Sequence, residues 1–157
     1  MNTHRHTRAD RVALLVLALS AAFVGGWALL APASFYADFP GGGRHWVAAD
    51  GPFNEHLVRD VGALYCALVV LTVAALVRPE RTITRIAGLT WLAFAVPHLA
   101  YHVDHLGIYG PSDQVLNVVG LGAIVLLAGV LVLPWRKAVE PSTAPGVPME
   151  TSAGERR

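Results

Sequence analysis

Apolar residues in this chain form four long blocks, and they do not recur at the spacing of one helix face or one strand face. A helix of about 20 apolar residues is roughly 30 Å long, which is the thickness of the hydrocarbon core of a bilayer. The pattern therefore predicts an all-α fold, a bundle of four transmembrane helices. The blocks cover residues 12–31, 57–77, 86–103 and 115–134.

Three regions follow from these blocks. Residues 1–11 are a basic N-terminal segment, residues 12–137 form the membrane domain, and residues 138–157 are rich in Pro, Ser, Thr and Gly. A segment of that composition buries too little apolar surface to offset the entropy lost on folding. We therefore expect the tail to be disordered.

The connection between the first two blocks is long for so small a protein. It runs from Pro32 to His56 and carries several aromatic residues around the sequence Pro40-Gly41-Gly42-Gly43. Long loops with apolar residues of their own are often functional. Two arrangements are open: the aromatic residues cap a pocket in the bundle, or they lie on the membrane surface as a belt. They are Phe35, Tyr36, Phe39, Trp46 and Phe53.

The basic residues predict how the helices are oriented. Of the 12 arginines and lysines, all but Arg44 and Arg59 fall before the first block, between the second and third, or after the fourth. Basic segments that flank membrane spans stay in the cytoplasm. We therefore expect a multi-pass protein of the plasma membrane with both termini in the cytoplasm and the long loop outside. The alternative is that the first block is a signal peptide, although its length exceeds the usual apolar core of such peptides.

Small residues predict where the helices approach each other. Ala21 with Gly25, Ala22 with Gly26, and Ala63 with Ala67 are each four residues apart, so each pair lies on one helix face. Helices in membranes associate closely at such positions. The glycines of the fourth block predict a similar approach there; they are Gly120, Gly122 and Gly129.

Histidines gather on the predicted outer side. His98 and His102 in the third block and His105 just after it follow a helical spacing, so the three rings share one stripe if the helix continues past Pro97. In the second block, His56 and Asp60 share a face with Ala63 and Ala67, which predicts that both point into the bundle. With Glu55, these six residues are candidate ligands for a transition metal, because imidazole binds zinc, copper and iron and a carboxylate can complete the site.

A structural role for the same residues is the alternative. The histidines then lie at headgroup level and form hydrogen bonds or ion pairs with Asp60 and Asp104 that join the second and third helices. A haem site or a proton relay is a further possibility. Arg59 can pair with Glu55 one turn before it.

Several function classes lack their motifs here. The sequence has no phosphate-binding loop, dinucleotide fingerprint or nucleophile elbow, and no basic aromatic surface suited to nucleic acid. We therefore expect neither nucleotide nor nucleic acid as a partner. The one cysteine, Cys66, excludes an intramolecular disulfide.

The layout resembles that of small actinobacterial four-helix membrane proteins that are broadly DoxX-like. The features it shares are the aromatic outer loop, the helix that opens at Asn54-Glu55-His56 and Arg59-Asp60-Val61-Gly62, and the short basic link that follows. This resemblance implies a four-helix membrane domain over about residues 10 to 137, and it implies no functional residues.

The leading hypothesis for function is a non-enzymatic accessory or partner-binding subunit, because no recognised catalytic set occurs. Its expected partners are the bilayer and a membrane protein or a second copy of the chain. The first alternative is a redox protein or enzyme that binds a metal or haem through the histidines. The second is a small carrier.

Overall fold

The computed structural model describes residues 6–133, and four long helices dominate this part of the chain. Each is long and apolar enough to cross a membrane. The prediction of an all-α fold with four such helices is confirmed. Numbered in chain order together with the short elements between the first two, they are α1 (Arg8–Leu30), α4 (Glu55–Val77), α5 (Arg81–Asp104) and α6 (Pro111–Val132).

Each of the four long helices begins two to five residues before its apolar block, and most of these added residues are polar. Thr7 caps α1: its hydroxyl accepts a hydrogen bond from the Asp10 amide at 3.1 Å, while the Asp10 carboxylate accepts one from the Thr7 amide at 3.0 Å. Asn54 caps α4 with a single hydrogen bond, which its side-chain oxygen accepts from the Leu57 amide at 3.1 Å. The predicted tail, residues 138–157, lies outside the described residues.

The prediction of a long loop from Pro32 to His56 is not confirmed, because the connection between α1 and α4 contains short helices and strands. It contains α2 (Pro32–Asp38), the paired two-residue strands β1 (Pro40–Gly41) and β2 (Arg44–His45), and α3 (Trp46–Ala49). The three consecutive glycines at 41–43 all have positive φ and make the tight turn between the strands. We call residues 31–54 the cap, because they lie over one end of the bundle.

The four long helices form two closely packed pairs, α1 with α4 and α5 with α6. A Cβ atom added at Gly25 would lie 2.8 Å from Tyr65 Cβ, and one at Gly62 would lie 2.6 Å from the Leu29 backbone nitrogen. At Gly88 of α5, an added Cβ would lie 2.8 Å from Leu131 Cβ. Glycine at these positions lets the two helices of each pair approach closely.

The small-residue predictions are only partly right. Ala21 and Gly25 are buried, but Ala22, Ala63 and Ala67 are exposed on the outside of the bundle. The face of α4 that meets α1 is centred on Gly62, one residue before the predicted face, which turns that face by about 100°. The prediction for α6 was also wrong, because an added Cβ would meet nothing within 4 Å at any of Gly120, Gly122 and Gly129.

The main core lies in the half of the bundle away from the cap. Leu14, Leu17, Leu131 and Trp91 are buried there. The Trp91 indole donates a hydrogen bond of 2.8 Å to the hydroxyl of buried Thr72. This half of the bundle is therefore filled with side chains, whereas the half nearer the cap is not.

Candidate functional site

A cavity of about 390 Å³ lies between the long helices beneath the cap. We call it the cap cavity. Its volume falls within the range of small-molecule sites, roughly 300 to 1,000 Å³. Its walls come from the cap and from all four long helices, and they are mostly apolar and aromatic. The polar residues among them are Ser20, Asp50, Tyr65, His98, His102 and Asn117.

The aromatic residues of the cap pack over the bundle. Phe35 and Phe39 have ring centroids 4.8 Å apart, and Phe39 is 6.2 Å from Trp46. These three residues line the cavity, and Phe35 is buried against α1 and α4 with Ala28 and Val58. The sequence left open whether the aromatic residues cap a pocket or lie on the membrane surface. Phe35, Phe39 and Trp46 cap the pocket.

Polar contacts fix the cap to α5, to the link that follows α5 and to the start of α6. The Arg44 guanidinium lies 2.6 Å from the Asp113 carboxylate at the start of α6. The Tyr109 hydroxyl donates to the Trp46 carbonyl at 3.3 Å, and burial raises the pKa of Tyr109 to about 12, so this donor keeps its proton. The Tyr101 hydroxyl of α5 donates to the Asp50 carboxylate at 3.1 Å.

His98 and His102 lie on the cavity wall formed by α5, which continues as a helix past Pro97. The His98 ring stacks on Phe94 with centroids 5.0 Å apart, and it meets the His102 ring edge-on at 4.7 Å. The His102 ring in turn stacks on Tyr109 at 6.2 Å. Two of the three histidines predicted to share a stripe are therefore neighbours in the cavity.

His105 does not join them. It follows the last residue of α5, its Nδ1 atom lies 2.8 Å from the Tyr101 carbonyl oxygen, and its ring stacks on Tyr101 at 4.1 Å. Because the helix ends at Asp104, the helical spacing on which the prediction relied does not reach this residue. His105 is exposed.

The prediction that His56 and Asp60 point into the bundle was wrong. Their side chains are 88% and 55% exposed, and they contact each other, with 3.3 Å between His56 Nε2 and Asp60 Oδ2. Glu55 pairs instead with Arg59 at 2.9 Å, as expected from their spacing. The outward position follows from the rotation of α4, whose buried face carries Gly62.

The six candidate ligands are thus divided among three places. Within residues 6–133, no group of three or more His, Cys, Asp and Glu side chains is arranged to hold a metal ion. The structure therefore gives no support to the predicted metal site at His98, His102, His105, His56, Asp60 and Glu55.

Three buried polar atoms on or beside the cavity have no hydrogen-bond partner in the protein. They are Asn117 Oδ1, His102 Nδ1 and Trp46 Nε1. The indole is a donor, the amide oxygen an acceptor, and the imidazole nitrogen either one according to its tautomer. Asn117 is only 1% exposed. Most buried polar groups in proteins are hydrogen-bonded, so three unpaired ones around one cavity call for an explanation.

Asn117 was not predicted as a site residue. A single amide in an otherwise apolar span was the available signal, because polar groups at membrane depth are costly and often functional. Trp46 was predicted only as one of the five aromatic residues of the connection between the first two helices.

The charge of the cavity is low. No arginine or lysine is among the residues that line it, and Asp50, which is exposed at the rim, is the one carboxylate. The cavity thus offers hydrogen bonds and apolar contact, and it offers no cation to balance an acidic ligand.

No protein-family model, curated protein or solved structure matches this chain. The resemblance to DoxX-like proteins stays a prediction.

Proposed function

We propose that this chain is a multi-pass membrane protein that binds an apolar small molecule in the cap cavity. The four apolar helices and the apolar exterior of the bundle support placement in a membrane. The positions of the basic residues favour cytoplasmic termini and an outward-facing cap, in the plasma membrane. The cap cavity then opens on the outer side.

One observation carries the binding function: Asn117 is almost fully buried against a cavity of about 390 Å³, and its amide oxygen has no partner. Leaving a buried polar group unpaired costs about 1 to 3 kcal/mol. A ligand that donates a hydrogen bond to this oxygen removes that cost, and its apolar part gains from contact with the aromatic walls. The cavity is therefore suited to a mainly apolar molecule with a hydrogen-bonding group.

The proposed function is non-enzymatic and agrees with the accessory role that the sequence predicts. A role as a small carrier would require a second opening towards the cytoplasm, where Leu14, Leu17, Trp91 and Leu131 fill the bundle. The binding function needs no such change. A partner subunit or a second copy of the chain stays a prediction.

Native mass spectrometry of the full chain released from bilayer nanodiscs tests the proposal. The wild type should retain a small molecule at about one per chain. Leu121→Trp, which fills the cavity, should lose it, and Leu126→Trp should keep it, because Leu126 lies on the same helix but points out of the bundle. A wild type that retains no small molecule, or a Leu121→Trp variant that retains it unchanged, would contradict the proposal.

A further inference from the structure

The wall of the cap cavity is incomplete along one flank of α6. Leu116 and Gly120 both line the cavity, and both have much of their surface exposed, 44% in the case of Leu116. They are four residues apart and so lie on one helix face. A Cβ atom at Gly120 would meet nothing within 4 Å. The cavity therefore opens sideways at this pair, and we call this place the side opening.

The side opening lies at the depth of acyl chains if α6 crosses the bilayer as proposed. At 1.5 Å per residue, Asn117 is about 9 Å and Gly120 about 14 Å along the helix from Pro111. The hydrocarbon core is about 30 Å thick. Molecules that meet the opening at this depth are lipids, and water is excluded from it.

The unpaired polar groups lie next to this opening. Asn117 is in the same turn of α6 as Leu116 and Gly120, and His102 belongs to the wall formed by α5. A lipid that enters sideways can thus place its polar head at Asn117 while its chain still contacts the opening. This arrangement satisfies the buried amide without moving any charge into the bundle.

The charged residues around the cap cavity favour a ligand with an uncharged head group. An anionic head would find no arginine or lysine among the lining residues, and it would face the Asp50 carboxylate at the rim. A cationic head could pair only with Asp50, whose carboxylate already accepts a hydrogen bond from the Tyr101 hydroxyl. A hydroxyl, by contrast, can donate to Asn117 and accept from the Trp46 indole. The volume, near the lower end of the range for small-molecule sites, favours one chain.

We infer that the ligand of the cap cavity is an uncharged lipid with one apolar chain and a hydroxyl-bearing head, taken up from the bilayer through the side opening. This inference rests on the proposed binding function and specifies the class of molecule and its route. Asn117 is the residue that recognises the head.

Photolabelling in phosphatidylcholine nanodiscs tests the inference. The probe is hexadecanol that carries a diazirine in its chain, and the comparison probe is its sulfate ester, which has a permanent negative charge. After illumination, labelled peptides are mapped by mass spectrometry. The alcohol should label residues that line the cavity, excess unlabelled hexadecanol should remove this labelling, and the sulfate should not produce it.

Two tryptophan variants test the route. Gly120→Trp should close the side opening and abolish cavity labelling by the alcohol. Gly122→Trp is the matched control, because Gly122 is on the same helix, has the same free space at its Cβ position and does not line the cavity. Leu116→Trp provides a second closure at the other edge if Gly120→Trp does not fold. Asn117→Leu should weaken labelling about five- to tenfold, the value of one buried hydrogen bond.

The outcomes separate the inference from the proposed function. Undiminished labelling of Gly120→Trp and Leu116→Trp would overturn the lateral route, and equal labelling by the sulfate would overturn the uncharged head. Labelling confined to the outer faces of the helices, while native mass spectrometry still finds a small molecule, would overturn the class of lipid alone. Absence of any retained small molecule would instead remove the proposed function itself.

Discussion

Replacing Gly62 by alanine tests how the bundle is held together. The new Cβ atom would lie 2.6 Å from the backbone nitrogen and 2.9 Å from the Cα of Leu29. Ordinary van der Waals contact begins near 3.4 Å, so α1 and α4 must separate by about 0.8 Å. The obstacle is backbone, and no change of side-chain rotamer relieves it.

The magnitude follows from this separation. A gap of 0.5 to 1 Å forfeits about a quarter to a half of the dispersion energy of each contact, and overpacking of this kind costs about 1 to 3 kcal/mol. Against this, alanine is a better helix former than glycine by about 1 kcal/mol. We expect Gly62→Ala to lower the free energy of unfolding by up to about 2 kcal/mol after this gain is included.

Gly26→Ala is the matched control. Gly26 lies in α1, one residue after the buried Gly25, and a Cβ at this position would meet nothing within 4 Å. It should be neutral or stabilising by up to about 1 kcal/mol. Reversible unfolding in mixed detergent micelles, followed by circular dichroism, compares the two variants. Equal stabilities of Gly62→Ala and Gly26→Ala would refute the close α1–α4 contact.

Three further predictions concern the start of α1, the buried Trp91 of α5 and His6. Thr7→Ala removes the capping hydroxyl of α1 and should cost about 1 kcal/mol in the same unfolding assay, whereas Thr7→Ser should cost little. Trp91→Phe loses the buried hydrogen bond to Thr72 and part of the core packing, and should cost about 1 to 3 kcal/mol; an unchanged midpoint would contradict the burial of Trp91. Burial lowers the pKa of His6 below its usual 6.5, so the neutral form is favoured in the folded state. The stability linked to it should be complete above pH 6.5 and lost as the pH falls through the lowered folded-state pKa, and His6→Gln should flatten this acid limb of the thermal-melting profile.

The architecture could be predicted from the sequence because block length alone sets which helices can cross a bilayer. The faces of those helices were harder to assign. In α4, alanines and Gly62 compete as small residues, and a shift of one position turns the contact face by about 100°. Residue size alone does not indicate which small residue packs against the backbone of the neighbouring helix. The prediction that Ala63 and Ala67 lie at the contact was therefore wrong.

The candidate site was predicted in part for a similar reason. The prediction for His98 and His102 was right because both lie within one continuous helix, whereas that for His105 was wrong because α5 ends at Asp104. Asn117 lies in α6 and Trp46 in the cap, far apart in the chain, and the fold brings both to the wall of one cavity. Contacts of that range leave no spacing pattern in the sequence.

An experimental structure of the full chain in a lipid nanodisc tests the central claim most directly. The account predicts elongated density in the cap cavity, with its head within hydrogen-bonding distance of Asn117 Oδ1 and its chain at Leu116 and Gly120. A cavity collapsed onto its own side chains, with the Asn117 amide paired to protein, would contradict the account.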